Sequence, residues 1–306
     1  AGIAIGNYFV EYALSPSSSS GEREINENTE INLADESSNI IAANKKAEQQ
    51  KGAEFELTVS DASITSKDNL TLKGKYRKQQ SGSLWAIIIH GYKSSNTKMM
   101  DFGAEYYNRG YNVLLPNNRA HGDSQGDYIG MGWLDKDDII LWIDWIKQQD
   151  SQAKILIHGV SMGGATAMML SGSNPKGVIG YINDCGYTTV WEIFESELYK
   201  RFSLPAFPVL HISELVASVK AGYNFKEASA INAVKSCNKP ILFIHGNRDD
   251  FVPIKMGYET YEAANCVKEM YVVEKAGHAE AKDYNPKAYW EKVFDFINSN
   301  MLNGET

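Results

Sequence analysis

Cysteine is scarce. Cys185, Cys237 and Cys266 are the only three among 306 residues, too few for a disulfide framework, and none has the C-x-x-C spacing of a redox motif or zinc site. They read as free thiols, and nothing in the chain calls for a metal or an organic cofactor. Basic residues are also outnumbered: 30 Lys plus Arg stand against 38 Asp plus Glu, a formal charge of −8. That balance argues against a nucleic-acid or anionic-lipid partner, since both select a basic surface. Long apolar runs are missing too. The longest are strand-sized, such as residues 86–89, and none approaches the ~20 residues that span a bilayer. What remains is globular composition, 43% hydrophobic and 22% charged, with a length that suits one large α/β domain or two small ones.

The first 51 residues differ from the rest. They hold eight acidic and four basic residues, a net −4 and so half of the total. The apolar start AGIAIGNYFVEYAL has two readings: the remainder of a signal peptide or membrane tether lying upstream of residue 1, or a first helix packed on the core. SPSSSSG at 15–21 and the Glu- and Asn-rich stretch to residue 36 read as a linker, and 39–51 as a short helix. The expected organisation is a leader over 1–51, one catalytic domain over 52–300 and a tail over 301–306.

Residues 54–59 and 70–77 alternate in polarity around the turn SKDN, the pattern of an antiparallel hairpin. Short apolar runs then recur at 85–89, 112–116, 154–158, 177–183, 239–244 and 270–273. Helical patterns lie between them, at 137–148, 162–171 and 255–264. Such alternation predicts a mainly parallel sheet with helices on both faces, entered through the hairpin. One connection, 185–239, is far longer than a crossover needs. Its surplus, about 186–232, is expected to form a helical cap over the carboxyl ends of the strands, where ligands bind in such sheets. Trp191, Phe194 and Phe202 in that segment are candidate pocket residues for an apolar or aromatic acyl group.

Gly159-Val160-Ser161-Met162-Gly163 is a G-x-S-x-G between an expected strand and an expected helix. A serine on that sharp turn has its Oγ pushed out at the sheet edge, with the helix N-terminus behind it. A hydroxyl needs a base, and the base a carboxylate to orient it. Of the histidines after Ser161, His211 lies in the cap segment and His245 ends a strand, whereas His278 sits in the last loop at the catalytic edge. His278 is therefore the expected base. The strand ending HGNRDD offers Asp249 and Asp250, and the spacing H-G-x-x-D-x-x-V-P selects Asp249. The backbone N–H groups of Met162 and of Tyr92, after the strand ending in His90-Gly91, are the expected oxyanion donors.

Five motifs, HGYKSS at 90, NNRAHGDSQG at 117, GVSMGG at 159, HGNRDDFVP at 245 and AGH at 276, occur in one order over roughly 52–300. With them the chain resembles the α/β-hydrolase-fold serine hydrolases of the bacterial esterase and prolyl-peptidase-like group. Asn117 and Ala120 depart from the Asp and Gly common there, a change that bears on a loop behind the site. The segments YIGMGWLDKDD and NDCGYTTVWEIF resemble bacterial hydrolases that are often extracytoplasmic. The resemblance implies the α/β-hydrolase fold with a helical cap and cleavage of a small-molecule carboxylic ester through an acyl-enzyme, without cofactor. A peptidase or acyltransferase on the same residues is the alternative, with Glu192, Glu195 and Glu197 as candidate holders of a substrate amine; a non-catalytic binder is a third. A dehalogenase or epoxide hydrolase would need a carboxylate where Ser161 stands.

Overall fold

The computed structural model describes residues 2–18 and 36–302. The Ser-rich and acidic linker expected over 15–36 lies almost wholly outside the described residues, as does most of the expected tail. Helix α1 (Gly2–Leu14) comes first, then α2 (Glu36–Glu56). The strands β1 (Ser60–Thr65) and β2 (Thr71–Arg77) form the hairpin about residues 66–69, paired antiparallel from Ser60↔Tyr76 to Thr65↔Thr71. Its first strand starts six residues later than residue 54, where alternation placed it. The segment EFE finishes α2 instead, because Phe55 is buried there against Tyr107, and tertiary packing outweighs a short alternating pattern.

Next in order come β3 (Leu84–Ile89), α3 (Met100–Asn108), β4 (Asn112–Pro116), α4 (Asp135–Gln149), β5 (Lys154–Val160), α5 (Met162–Ser171) and β6 (Val178–Asp184). The long connection follows with α6 (Val190–Phe202), α7 (Val209–Lys220) and α8 (Ala230–Ala233). The chain then returns through β7 (Ile241–Gly246), α9 (Ile254–Ala263), β8 (Lys268–Val273), α10 (Ala281–Tyr284) and α11 (Pro286–Ile297). Among the described residues the sheet has eight strands in the order β1-β2-β4-β3-β5-β6-β7-β8. β2 pairs antiparallel with β4 and every later pairing is parallel. This is the α/β-hydrolase fold.

The central strands β3 to β7 are buried on both faces, as their continuous apolar runs require. On β3, Trp85, Ile87 and Ile89 join the core that includes α4, α5, α6 and α7, while Ala86 and Ile88 join the one with α3 and α11. β7 alternates in the same way, with Ile241 and Phe243 on the first face and Leu242 and Ile244 on the second.

The apolar start is a packed helix. α1 lies on α7, and its close approach is made at Gly6, where a Cβ would stand 2.7 Å from Ile212 Cγ2. Val10 and Leu14 are fully buried, each stabilising the docking by roughly 1.5–3 kcal/mol. The chain end of α1 is hydrogen-bonded to the core, with Leu14 O accepting from Ile129 N–H at 2.8 Å. Among the described residues no helix is long and apolar enough to cross a membrane.

Candidate active site

The carboxyl ends of the parallel strands converge on Ser161. β5 runs directly into α5 through this residue, whose φ of 57° and ψ of −118° lie where side chains are rarely tolerated. The glycines around it are there for space. A Cβ on Gly159 would lie 1.9 Å from Gly163 O, and one on Gly163 would lie 2.1 Å from Ile89 O. Only hydrogen fits where β3, β5 and the first turn of α5 cross.

His278, after β8, bridges Ser161 and Asp249. Its Nδ1 lies 2.8 Å from Asp249 Oδ2 and its Nε2 2.8 Å from Ser161 Oγ. A carboxylate only accepts, so Nδ1 carries the proton and Nε2 is left to accept from the serine hydroxyl. Asp249 Oδ1 accepts from the N–H groups of Phe251 and Val252, at 2.9 and 2.8 Å, which fixes the carboxylate plane. Burial alone would raise the Asp249 pKa, but hydrogen bonds from His245 and His278 outweigh it and hold the carboxyl at about 2. The adjacent Asp250 is exposed, and its carbonyl accepts from Lys200. The two aspartates thus have different surroundings, Asp249 buried against His278 and Asp250 exposed.

Tyr92 and Met162 line one cleft with Ser161. Met162 opens α5, so helix geometry gives its N–H no acceptor within the helix. The loop carrying Tyr92 is gripped on both sides. His90 Nε2 accepts from Asn118 N–H at 3.0 Å and its Nδ1–H donates to Gly91 O at 2.8 Å. His121 Nε2 accepts from Lys93 N–H at 3.0 Å and its Nδ1–H donates to Arg119 O at 2.8 Å. Burial keeps both rings neutral, with His90 pushed down to about 3 and His121 to about 4. Neutral rings are required, because each must both accept and donate. The unusual Asn117 works both ways too: its Oδ1 accepts from Asn96 N–H and its Nδ2 donates to Asp123. Ala120 holds φ 59°, the left-handed region that a glycine there would occupy more easily.

Phe194 and Phe202 line the cleft, and Trp191 does not. Its ring meets His211 edge-on at 4.8 Å and lies under Lys226 Nζ at 4.1 Å, so the first turn of α6 is used to brace α7. Glu192 and Glu195 are exposed and also outside the cleft. Glu197 lines it, with its charge met by Arg201 at 2.8 Å.

Cys185, Asp249 and His278 bring a sulfur, a carboxylate oxygen and an imidazole nitrogen within 4.8 Å of one another. The donor set does not suit a metal. Burial pushes the Cys185 thiol far above its ordinary range, disfavouring the thiolate a metal would need, and Asp249 already accepts from the N–H groups of Phe251, Val252 and His278.

A sequence model of the prolyl oligopeptidase family matches residues 98–304. The chain belongs to that family. As a prolyl oligopeptidase family member with this fold it is an α/β-hydrolase-fold serine hydrolase. The uncharacterized protein YqkD of Bacillus subtilis is 29% identical over 215 residues, which cover 70% of each chain. The lysophosphatidylserine lipase ABHD12 of Danio rerio is 25% identical over 196 residues, covering 60% of this chain and 48% of that one. Among solved structures, the esterase Pf2001 of Pyrococcus furiosus superposes with a TM-score of 0.65 at 26% identity, over 81% of this chain and 95% of that one.

Several residues of this family member's site were not legible in the sequence. Phe9, Tyr12 and Ala13 of α1 form part of the cleft wall. Their i, i+3, i+4 spacing marks one helix face but does not say what that face covers. Arg201, the partner of Glu197, has the i, i+4 spacing of any exposed helix pair, and nothing local distinguished it as lining a cleft.

Proposed function

We propose that the protein hydrolyses carboxylic esters through an acyl-enzyme formed on Ser161. The observation that carries this reading is the hydrogen-bonded line Ser161 Oγ, His278 Nε2, His278 Nδ1, Asp249 Oδ2, with both contacts at 2.8 Å. Ser161 Oγ attacks the ester carbonyl while His278 Nε2 takes its proton. Asp249 holds the tautomer and stabilises the imidazolium. The N–H groups of Met162 and Tyr92 receive the developing oxyanion, in a cleft where the positive end of α5 adds to the field. His278 then passes the proton to the leaving alcohol, and water activated by the same ring releases the acid. α6 and α7 act as the cap. The names of two relatives, an esterase and a lysophospholipid lipase, support the ester class.

The family match favours a second reading, cleavage of a peptide by the same residues. Against an aminopeptidase, Glu197, the lining carboxylate among the described residues, is paired with Arg201 rather than left for a substrate amine. The test is turnover of p-nitrophenyl butyrate and of an aminoacyl p-nitroanilide by the wild type and Ser161→Ala. Ester turnover that falls about a thousandfold or more in the variant is the expected result. Ester turnover retained in the variant refutes the role of Ser161, and preferential anilide cleavage supports the peptidase.

A further inference from the structure

We infer that the cleft beside Ser161 is a binding site for one apolar acyl chain, and that helix α1 is the wall that sets the length it accepts. The inference deepens the esterase reading and rests on it.

The polar side chains of the cleft are hydrogen-bonded within the protein. Tyr92 Oη donates to Ala13 O at 2.6 Å, and Tyr187 Oη donates to Met131 O at 2.9 Å. Ser213 Oγ donates to Val209 O at 2.8 Å, and Tyr12 Oη accepts from Arg201 at 3.2 Å. Arg201 and Glu197 neutralise each other. Apart from the reactive turn itself, each polar side chain on the lining therefore already has a protein partner, and the cleft presents mainly carbon to a ligand. A peptide would bring an N–H and a C=O for every residue into this space and find few partners for them. A methylene chain brings none, and it gains from every carbon it buries.

Shape points the same way. The space, counted out to its open mouth, is about 790 Å³, an apolar slot with room for an acyl chain beside the ester. One side of that slot is the seam between α1 and α6. It is closed by the Phe9 ring edge-on to Phe202 at 5.2 Å and by Tyr12 edge-on to Phe202 at 5.4 Å. A chain growing from the ester carbon at Ser161 fills the slot until it meets this aromatic seam.

The test measures kcat/KM for p-nitrophenyl acetate, butyrate, octanoate and dodecanoate on the full chain. Stoichiometric fluorophosphonate labelling of Ser161 is recorded beside it. The expected profile rises by roughly fourfold per added methylene over the chain lengths that fit, then falls. Phe9→Ala moves the maximum to a longer chain and Phe9→Trp to a shorter one. Both variants are scored only as labelled, folded protein, and Phe202→Ala reports on the same seam from α6. A flat profile, or a maximum that none of the three variants moves, overturns the acyl slot while leaving Ser161 labelled. Absence of labelling in the wild type overturns the esterase reading beneath it. A series of alkyl acetates that shows the length dependence in place of the acyl series overturns the assignment of the slot to the acyl side.

Discussion

The hydroxyl of Tyr92 donates to the carbonyl of Ala13 at 2.6 Å, so the residue whose N–H is the proposed oxyanion donor also clamps the N-terminal helix to the loop after β3. About 20 Å of helix thus report on one residue of the loop that carries the expected oxyanion donor. Tyr92→Phe removes the clamp and keeps the backbone N–H. It is expected to cost about 1 kcal/mol of stability and to expose α1 to limited proteolysis, and to raise KM by a larger factor than it lowers kcat. Thermal unfolding, mass spectrometry of protease-nicked protein and steady-state kinetics check the three effects.

Asp249 and Asp250 are neighbours with opposite surroundings. Asp249→Asn should lower kcat by about 10⁴-fold, because the neutral amide no longer fixes the His278 tautomer. Asp250→Asn should change it by no more than a few-fold, since that carboxylate is exposed. A larger loss at Asp250 would reverse the assignment.

Gly163 leaves no room for a methyl group. With backbone oxygen of Ile89 at 2.1 Å from the Cβ position, Gly163→Ala is expected to destabilise by roughly 4 kcal/mol or more and to abolish fluorophosphonate labelling. Soluble yield and denaturant titration measure the first effect. Normal labelling of a normally stable variant would refute the steric account.

Acid should weaken the fold through the two histidines behind the catalytic loop. His90 and His121 are held at about 3 and about 4 by burial, against about 6.5 in the unfolded chain. Between those values the unfolded chain binds protons that the folded one excludes, so their stability contribution is complete above about pH 6.5 and is lost as pH falls towards 4. Asp138 and Asp184, raised to about 6 by burial, have the opposite sign and offset part of the loss. His121→Gln should lower stability at pH 7 and reduce the further loss between pH 7 and pH 5 by about 1–2 kcal/mol. Denaturant titrations at the two pH values decide it, and an unchanged difference would contradict the burial account.

Local chemistry was readable wherever a position admits few residue types. Gly159 and Gly163 announce the turn because no Cβ fits, and β3, β5 and β7 announce themselves because strands buried on both faces are continuously apolar. Ser161 and Asp249 could be singled out because each follows such a strand, and His278 because it lies in the last loop, after the half-buried β8. Phe55 was harder: E-F-E-L fits a strand as well as the last turn of α2, and only Tyr107, far along the chain, decides between them. The cleft wall was harder still. Trp191 and Phe202 sit on the same helix with similar composition around them, yet one supports α7 and the other faces α1. Docking between surface helices depends on shapes that no single segment records.

Thr189 and Ser229 pair as an isolated bridge at the base of the excursion between β6 and β7, while Asp184 and Ile244 already pair within the sheet. The chain therefore leaves and re-enters the hydrolase fold through a neck that is closed independently of what hangs from it. Changes in α6 and α7 can accumulate, and even their length can drift, without altering the register of the strands that hold Ser161 and Asp249. α1 has no such freedom of its own, since it must stay matched to α7 at Gly6 and Ile212. Selection on substrate would then act on the two ends of the chain's cleft wall as a pair, so that substitutions in the first helix and in the excursion co-vary while the sheet stays fixed.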